Sequence, residues 1–379
     1  MSRRTILFAA GGSGGHLFPA IAVAEELQRQ ASDLGLGIVA SEKEIDRSIL
    51  ARTPFERHHL PSVSPGRFWQ QPWTVLSENW RAWQAARQLI REQSPAVVIG
   101  CGGFASVPLV FAAIRAGVPV VLLEQNLIPG RANVWLSRWA ARLCLSFPET
   151  LAYLPTSVQR RAAEIVTVTG NPVRQSMLPV EPVPPRSPNQ LLILGGSQGA
   201  RHLNEAIAEW VSTRPPALAG WHLIHQTGAA DQPAIAQRYA PFSGFLHAEA
   251  VAFITDPASL YRTSTLVIAR AGATTLAELA CLAAPTLLVP LPSAARDHQT
   301  ANARWYADQR AARVVIQSAT PPETARTLAA AVIPLLTDLS ARQGLSRAIA
   351  QTARPRAAED AANIILETGH RSDATANTG

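Results

Sequence analysis

The sequence predicts an α/β chain built as two doubly wound domains, each on a parallel sheet. Three observations carry that expectation. Short apolar runs without polar alternation suit strands covered on both faces. These runs alternate with helical patterns, as βα units require. A strand, a glycine-rich turn and a helix then open each half of the 379-residue chain. That length is too great for a typical single domain and comfortable for two.

In the first half, Ile6 to Ala10 reads as a strand and Pro19 to Gln30 as a helix, with Gly11-Gly12-Ser13-Gly14-Gly15-His16 between them. Ala96 to Ile99 and Pro119 to Leu123 read as further strands, joined by an alanine-rich helix. Leu178 to Asn189, LPVEPVPPRSPN, holds five prolines and cannot continue a helix or a central strand. It reads as linker. A new strand, Leu191 to Leu194, leads into Gly195-Gly196-Ser197-Gln198-Gly199-Ala200. The expected boundaries are a first domain over 1–174, a linker over 175–189 and a second domain over 190–350. The small, polar tail over 368–379 is expected to be disordered.

Composition narrows the function. Apolar residues make up 47% of the chain and charged residues 16%, which allows a large core and argues against global disorder. Cys101, Cys144 and Cys281 are far apart and odd in number, with no CxxC pair or metal-ligand spacing. A reduced compartment and no metal are expected. The apolar run after Arg4 breaks at Gly11, too short for a signal h-region, and no stretch reaches the roughly 18 apolar residues of a membrane span. The chain is expected to be cytosolic, touching a membrane at most. The net charge is +7, nearly all of it from arginine, since Lys43 is the only lysine. Anionic lipid and phosphorylated ligands suit that charge. There is no block of basic residues, zinc-finger spacing or RNP-type motif, which argues against nucleic acid.

The first glycine turn places free N–H groups at a helix start, where anions are favoured. A plain βα turn needs one or two glycines; four in five positions favour a phosphate or sugar-phosphate cradle. Leu17 occupies the last position of a dinucleotide G-x-G-x-x-G, and the only lysine follows Glu42, so neither the Rossmann fingerprint nor a Walker A loop fits. His16 reads as a general base beside a bound hydroxyl or as a residue that orients the turn. Ser197 and Gln198 add side-chain donors to the second turn, and Gly102-Gly103-Phe104 adds backbone donors after another strand. Glu124-Gln125-Asn126 lies at a strand's carboxyl end, where side chains point into a ligand crevice or serve ordinary loop chemistry. Arg174 reads as a phosphate contact or part of a hinge. From Arg270, small residues open a helix through Ala273, Thr274, Thr275, Leu276 and Ala277, and Glu278 falls one turn in. Its carboxylate suits ribose hydroxyls or the helix dipole, the latter worth roughly 0.3–1 kcal/mol. Gln299, after another strand end, offers an amide to sugar hydroxyls. Trp69, Trp73, Leu76, Trp80 and Trp83 recur at four- and three-residue spacing, near Arg67, Arg81 and Arg87. They form one helical face, either a membrane-surface patch or a buried side.

Together these segments resemble the bacterial MurG family of N-acetylglucosaminyltransferases. The matching motifs are GGSGGHLFPA, GCGGFASVP, EQNLIPGRAN, GNPVR, GGSQGA, HQTG, RAGATTLAEL and DHQTANA, in order from 11 to 303. The resemblance implies a GT-B fold of two Rossmann-like domains facing across a cleft. It implies inverting transfer of GlcNAc from UDP-GlcNAc to the MurNAc C4 hydroxyl of lipid I, giving lipid II, with no cofactor, at the cytoplasmic face of the plasma membrane. The N-terminal domain would take the acceptor and face the membrane, the C-terminal domain would hold the nucleotide sugar, and a helix near 356–366 would pack back on the first domain. Ser13, Gly14 and Gly15 would contact the donor, with Asn126 and Gln299 on its GlcNAc. Arg174 and Ser197 would lie near the phosphates, the Ile254 backbone against uracil, Glu278 on the ribose, and His16 would be the base. Phe104 stands where the family usually has tyrosine, Leu123 where it has histidine, Ser13 where it has threonine and Pro257 where it has methionine. Other expectations for the same pattern are a diacylglycerol glycosyltransferase, a UDP-GlcNAc 2-epimerase, and a non-catalytic sugar-nucleotide-binding membrane subunit. An epimerase would need further acid/base carboxylates, which the motifs lack.

Overall fold

The structure, a computed structural model, describes residues 4–12, 14–61, 72–179, 186–195, 199–292 and 297–376. The chain divides into two compact units, residues 1–175 with 354–379 and residues 176–353.

The first unit is built on β1 (Thr5–Ala9), β2 (Gly35–Ser41), β3 (Glu56–Leu60), β4 (Val97–Gly100), β5 (Val120–Glu124), β6 (Arg142–Leu145) and β7 (Val166–Val168). The strand order is β3-β2-β1-β4-β5-β6-β7, and every pairing is parallel. The two-residue period of β1 explains its unbroken apolar run. Ile6 and Phe8 join Leu17, Ile21 and Leu27 of helix Gly14–Gln30, together with Ala361 and Ile365 of helix Ala357–Ala376. Leu7 and Ala9 join Ala86 and Ile90 of helix Pro72–Gln93 and Leu109 of helix Val107–Arg115. Both faces are thus covered, so neither needs polar residues.

The second unit repeats the plan with β8 (Gln190–Leu194), β9 (His222–Gln226), β10 (His247–Val251), β11 (Leu266–Ala269), β12 (Thr286–Leu288) and β13 (Arg313–Val314). Its order is β10-β9-β8-β11-β12-β13, again parallel throughout. Trp210 of helix Arg201–Ser212 is its largest fully buried side chain and packs among Leu191, Ile193, Leu328 and Val332.

Several sequence expectations shift. The first helix begins at Gly14, five residues before Pro19, so Gly14, Gly15 and His16 form its first turn rather than loop. Pro19 therefore lies inside the helix, in its second turn, where it has no N–H to give to the intrahelical ladder. The last helix runs to Ala376, through most of the tail expected to be disordered. Apolar residues that reach core positions, Ala361, Ala362 and Ile365, anchor it. The proline-rich segment from Leu178 to Asn189 lies partly outside the described residues; before it, Gln175–Met177 forms a 3-10 turn.

Gly170 marks where the returning chain crowds the first unit. Its φ is +88°, and a Cβ there would lie 2.4 Å from Cβ of Arg354. Gly117 has φ +74° with nothing within 4 Å of that position. Gly170→Ala is therefore expected to lose about 2 kcal/mol or more, from backbone strain plus overlap, and Gly117→Ala only the strain, about 1 kcal/mol. Urea unfolding of the two variants checks the difference.

Candidate functional site

In both sheets the strand order reverses beside the first strand, at β1/β4 and at β8/β11. Ligands of doubly wound sheets bind at the carboxyl ends of such switch-point strands. In each unit the glycine turn follows one of these strands.

In the first unit, the Gly12 N–H donates to the Asp46 carboxylate at 2.8 Å. The Ser41 hydroxyl donates to the same Asp46 oxygen. Asp46 is fully buried. Gly11 must be glycine here, since a Cβ would lie 2.9 Å from that oxygen and from the Ser41 nitrogen. Gly12 has φ +88° and open space where a side chain would be, so its amide plane is bare on that side. Ser13 lies outside the described residues.

The His16 ring packs against the backbone after β4. A Cβ on Gly102 would come within 3.2 Å of the ring, and one on Gly103 also within 3.2 Å, both glycines having positive φ. The first and third glycine motifs therefore form one constellation with His16 at its centre. Phe104 opens the 3-10 turn Phe104–Ser106 and is exposed.

Glu124 is the last residue of β5 and is buried, so it shapes its loop rather than facing solvent. It accepts from the Asn126 N–H at 3.0 Å, the Gly130 N–H at 3.0 Å and the Asn133 side chain at 2.9 Å. Burial pushes its carboxyl up, and these hydrogen bonds oppose the shift. The Thr150 hydroxyl donates to the Asn126 and Leu127 carbonyls at 3.2 and 3.0 Å. Asp46, Asn133 and Thr150 are the supports that sequence reading missed. Arg174 stacks over the Phe18 ring at 4.2 Å. It also faces Glu25, whose carboxyl is raised by burial against the opposing pull of Arg174.

In the second unit, Ser197 and Gln198 lie outside the described residues. The turn's flanks are glycine for steric reasons. A Cβ on Gly195 would lie 2.8 Å from the Gln226 carbonyl, and one on Gly199, at φ +76°, 2.7 Å from that of Thr227. Asn204 donates to the Thr227 carbonyl and to Asp231, each at 2.8 Å. His225 bonds Asn204 at 3.1 Å and the Tyr239 hydroxyl at 2.7 Å. This buried network holds the strand ends around the turn.

Helix Ala273–Cys281 starts right after Gly272. Ala273, Thr274, Leu276 and Glu278 are buried, and Thr275 and Ala277 half-buried. Arg270, half-buried, donates to the Val289 carbonyl at 2.9 Å and to Gln317 at 2.8 Å, and burial lowers its pKa to about 10. Gln299 accepts from the Leu291 N–H at 3.0 Å, and Asn302 donates to the Ala271 carbonyl at 3.2 Å. The segment from β12 to helix His298–Asp308 is thereby tied to the Glu278 helix. Ile254 is buried just before Asp256, which caps helix Pro257–Thr263.

Helix Pro72–Gln93 divides the tryptophan stripe. Trp73 is 82% exposed and Trp80 57%, whereas Trp83 packs against the core with Arg87 stacked on its ring. Trp69 lies outside the described residues. Trp135 and Trp139 add exposed rings 5.4 Å apart, signalled in sequence only by four-residue spacing. Arg87, Arg91 and Arg115 line a pocket with Trp83. All three cysteines are buried, and none of them is in a disulfide. Among the described residues, no helix is long and apolar enough to cross a membrane.

Residues 6–144 match the glycosyltransferase family 28 N-terminal domain, and residues 190–361 its C-terminal domain. The chain is 39% identical over 329 residues to the UDP-N-acetylglucosamine–N-acetylmuramyl-(pentapeptide) pyrophosphoryl-undecaprenol N-acetylglucosamine transferase of Syntrophotalea carbinolica, covering 85% of this chain and 88% of that one. It is 36% identical to the protein of the same name from Ectopseudomonas mendocina, over 96% and 99% of the two chains. The crystal structure of Acinetobacter baumannii MurG matches with a TM-score of 0.70 at 30% identity, over 96% and 99% of the chains. A UDP-GlcNAc 2-epimerase from Neisseria meningitidis matches with a TM-score of 0.65 at 13% identity, over 96% and 99%, a likeness of fold alone.

Burial holds the His225 imidazole neutral by lowering its pKa from 6.5 to about 3. The folded value lies below the unfolded one, so protonation opposes folding. Stability of the second unit is expected to be intact above about pH 6.5 and to fall by about 1.4 kcal/mol per pH unit below it, down towards pH 3. Urea unfolding between about pH 7 and pH 5 measures the slope. The His225→Gln variant should be less stable at neutral pH and show a flatter dependence.

Proposed function

Because the chain belongs to the MurG branch of glycosyltransferase family 28, with the GT-B fold, we propose that it transfers GlcNAc from UDP-GlcNAc to the MurNAc C4 hydroxyl of lipid I, with inversion, forming lipid II. One observation carries the reading. Relatives named for an N-acetylglucosaminyl transfer to this lipid-linked acceptor match up to 96% of the chain. The glycine turn after β1, bare at Gly12, and the glycines that follow β8 at the second switch point support a phosphate-binding backbone of the kind such a reaction needs.

In this reading the second unit holds the donor. The start of helix Ala273–Cys281 offers N–H groups to the diphosphate. Ser197, Gln198 and Arg174 lie near the phosphates, and Ala273, Thr274, Thr275, Leu276 and Ala277 bring the helix backbone to the nucleotide. Glu278 takes the ribose hydroxyls, the Ile254 backbone the uracil, and Asn126 and Gln299 the GlcNAc. Charge grows on the leaving diphosphate as the acceptor hydroxyl attacks the anomeric carbon, and fixed amide dipoles stabilise it. The first unit takes the acceptor. Ser13, Gly14 and Gly15 approach the donor, Gly102, Gly103 and Phe104 border the acceptor, and His16 accepts the proton of the attacking hydroxyl. Its ring is held for that task by the Gly102–Gly103 backbone.

The chain works at the cytoplasmic face of the plasma membrane as a peripheral protein. Exposed Trp73, Trp80, Trp135 and Trp139 and the basic pocket of Arg87, Arg91 and Arg115 support contact with anionic lipid.

Incubation with radiolabelled UDP-GlcNAc and purified lipid I is expected to yield labelled lipid II. Donor binding without transfer would instead mark a non-catalytic subunit, and transfer only to diacylglycerol would mark a different acceptor. His16→Ala should lower kcat by on the order of 10²–10⁴ with a far smaller change in KM for UDP-GlcNAc; wild-type turnover would remove His16 as the base. Replacing Trp73 and Trp80 with serine should weaken co-sedimentation with anionic liposomes. An unchanged urea-unfolding midpoint would rule out unfolding as the cause.

A further inference from the structure

We propose that His222, His247 and Glu249 form a divalent transition-metal site on the edge of the second sheet. Sequence reading expects no metal, and these residues lie too far apart in the chain to suggest one. The fold brings them together. β10 is an edge strand, and its pairing with β9 sets His247 directly beside His222. Glu249, two residues further along β10, projects to the same face as His247.

The donor atoms are already spaced as ligands. One Glu249 carboxylate oxygen lies 3.1 Å from Nε2 of His222 and 2.8 Å from Nε2 of His247. The donor atoms of the three residues all lie within 4.8 Å of one another. A tetrahedral ion with bonds of about 2.0–2.1 Å needs ligand atoms about 3.3 Å apart. The two imidazoles stand edge to face, ring centroids 4.7 Å apart, so both can turn Nε2 to one point. The side chains are partly exposed, which gives an ion a path in and leaves room for water as the remaining ligand.

Two imidazoles and one carboxylate suit zinc, copper or nickel; magnesium and calcium prefer oxygen-only sets. His222 and His247 begin their strands, so the cluster sits at the amino ends of β9 and β10. The glycine turn and the Glu278 helix follow the carboxyl ends of β8 and β11. Metal bound here clamps the edge strand to its neighbour without entering the transfer site.

The test uses the full chain, stripped with a chelator and titrated calorimetrically with zinc chloride and, separately, magnesium chloride. The expected result is one zinc ion per chain, a higher Tm with zinc and none with magnesium. The double variant His222→Asn, His247→Asn should lose the zinc and the Tm increase while keeping its transferase activity. Glu249→Gln, which leaves both imidazoles, should bind zinc more weakly and serves if the double variant does not fold. Absence of stoichiometric zinc binding, or equal binding by the variants, overturns the site.

Discussion

The Gly12 amide lies 2.8 Å from the Asp46 carboxylate, and that contact shows the constraint on which the structure turns. A backbone that must approach a phosphate or sugar closely can carry no side chain there. It therefore cannot anchor itself, and neighbours must hold it. Asp46 and Ser41 do so for the first turn. Asn204, His225 and Tyr239 do so around the second. Each support is buried, so its loss would leave polar groups unsatisfied at about 1–3 kcal/mol apiece.

The same logic explains two features that would otherwise look unrelated. His225 stays neutral because a charged imidazole could not be solvated where Asn204 needs its partner. Arg270 keeps its guanidinium among carbonyls of the β12 loop, so the start of the Glu278 helix has a fixed neighbour. Both units place these arrangements at the point where the strand order reverses. In the proposed function, the helix termini and glycine amides there serve as a preorganised field for the diphosphate charge that develops as the bond breaks.

Much of this was legible in the sequence, and the reasons are physical. Strands such as β1 and β8 announce themselves because both faces are buried. Glycine runs after them mark close backbone approach, and the ordered motifs identify the family. What stayed hidden depends on distance through space. Asp46 belongs to none of the motifs read in the sequence, and only the fold brings it under Gly12. Glu124 reads either as a crevice ligand or as ordinary loop chemistry, and the second holds, since its oxygens are taken up by its own loop. The tryptophan spacing implies one face, but the helix leaves Trp73 and Trp80 outside and turns Trp83 inward. The final helix outlasts its polar composition because a few apolar residues in its first half dock on the core.

In the proposed function the second unit holds the nucleotide and His16 serves the chemistry. Calorimetric titration of UDP into the native chain, Glu278→Ala and His16→Ala tests it most directly. Glu278→Ala is expected to weaken UDP binding by roughly tenfold or more, since a charged hydrogen-bond acceptor is lost, while His16→Ala binds UDP within about twofold of the native chain. Native affinity in Glu278→Ala together with a large loss in His16→Ala would contradict it.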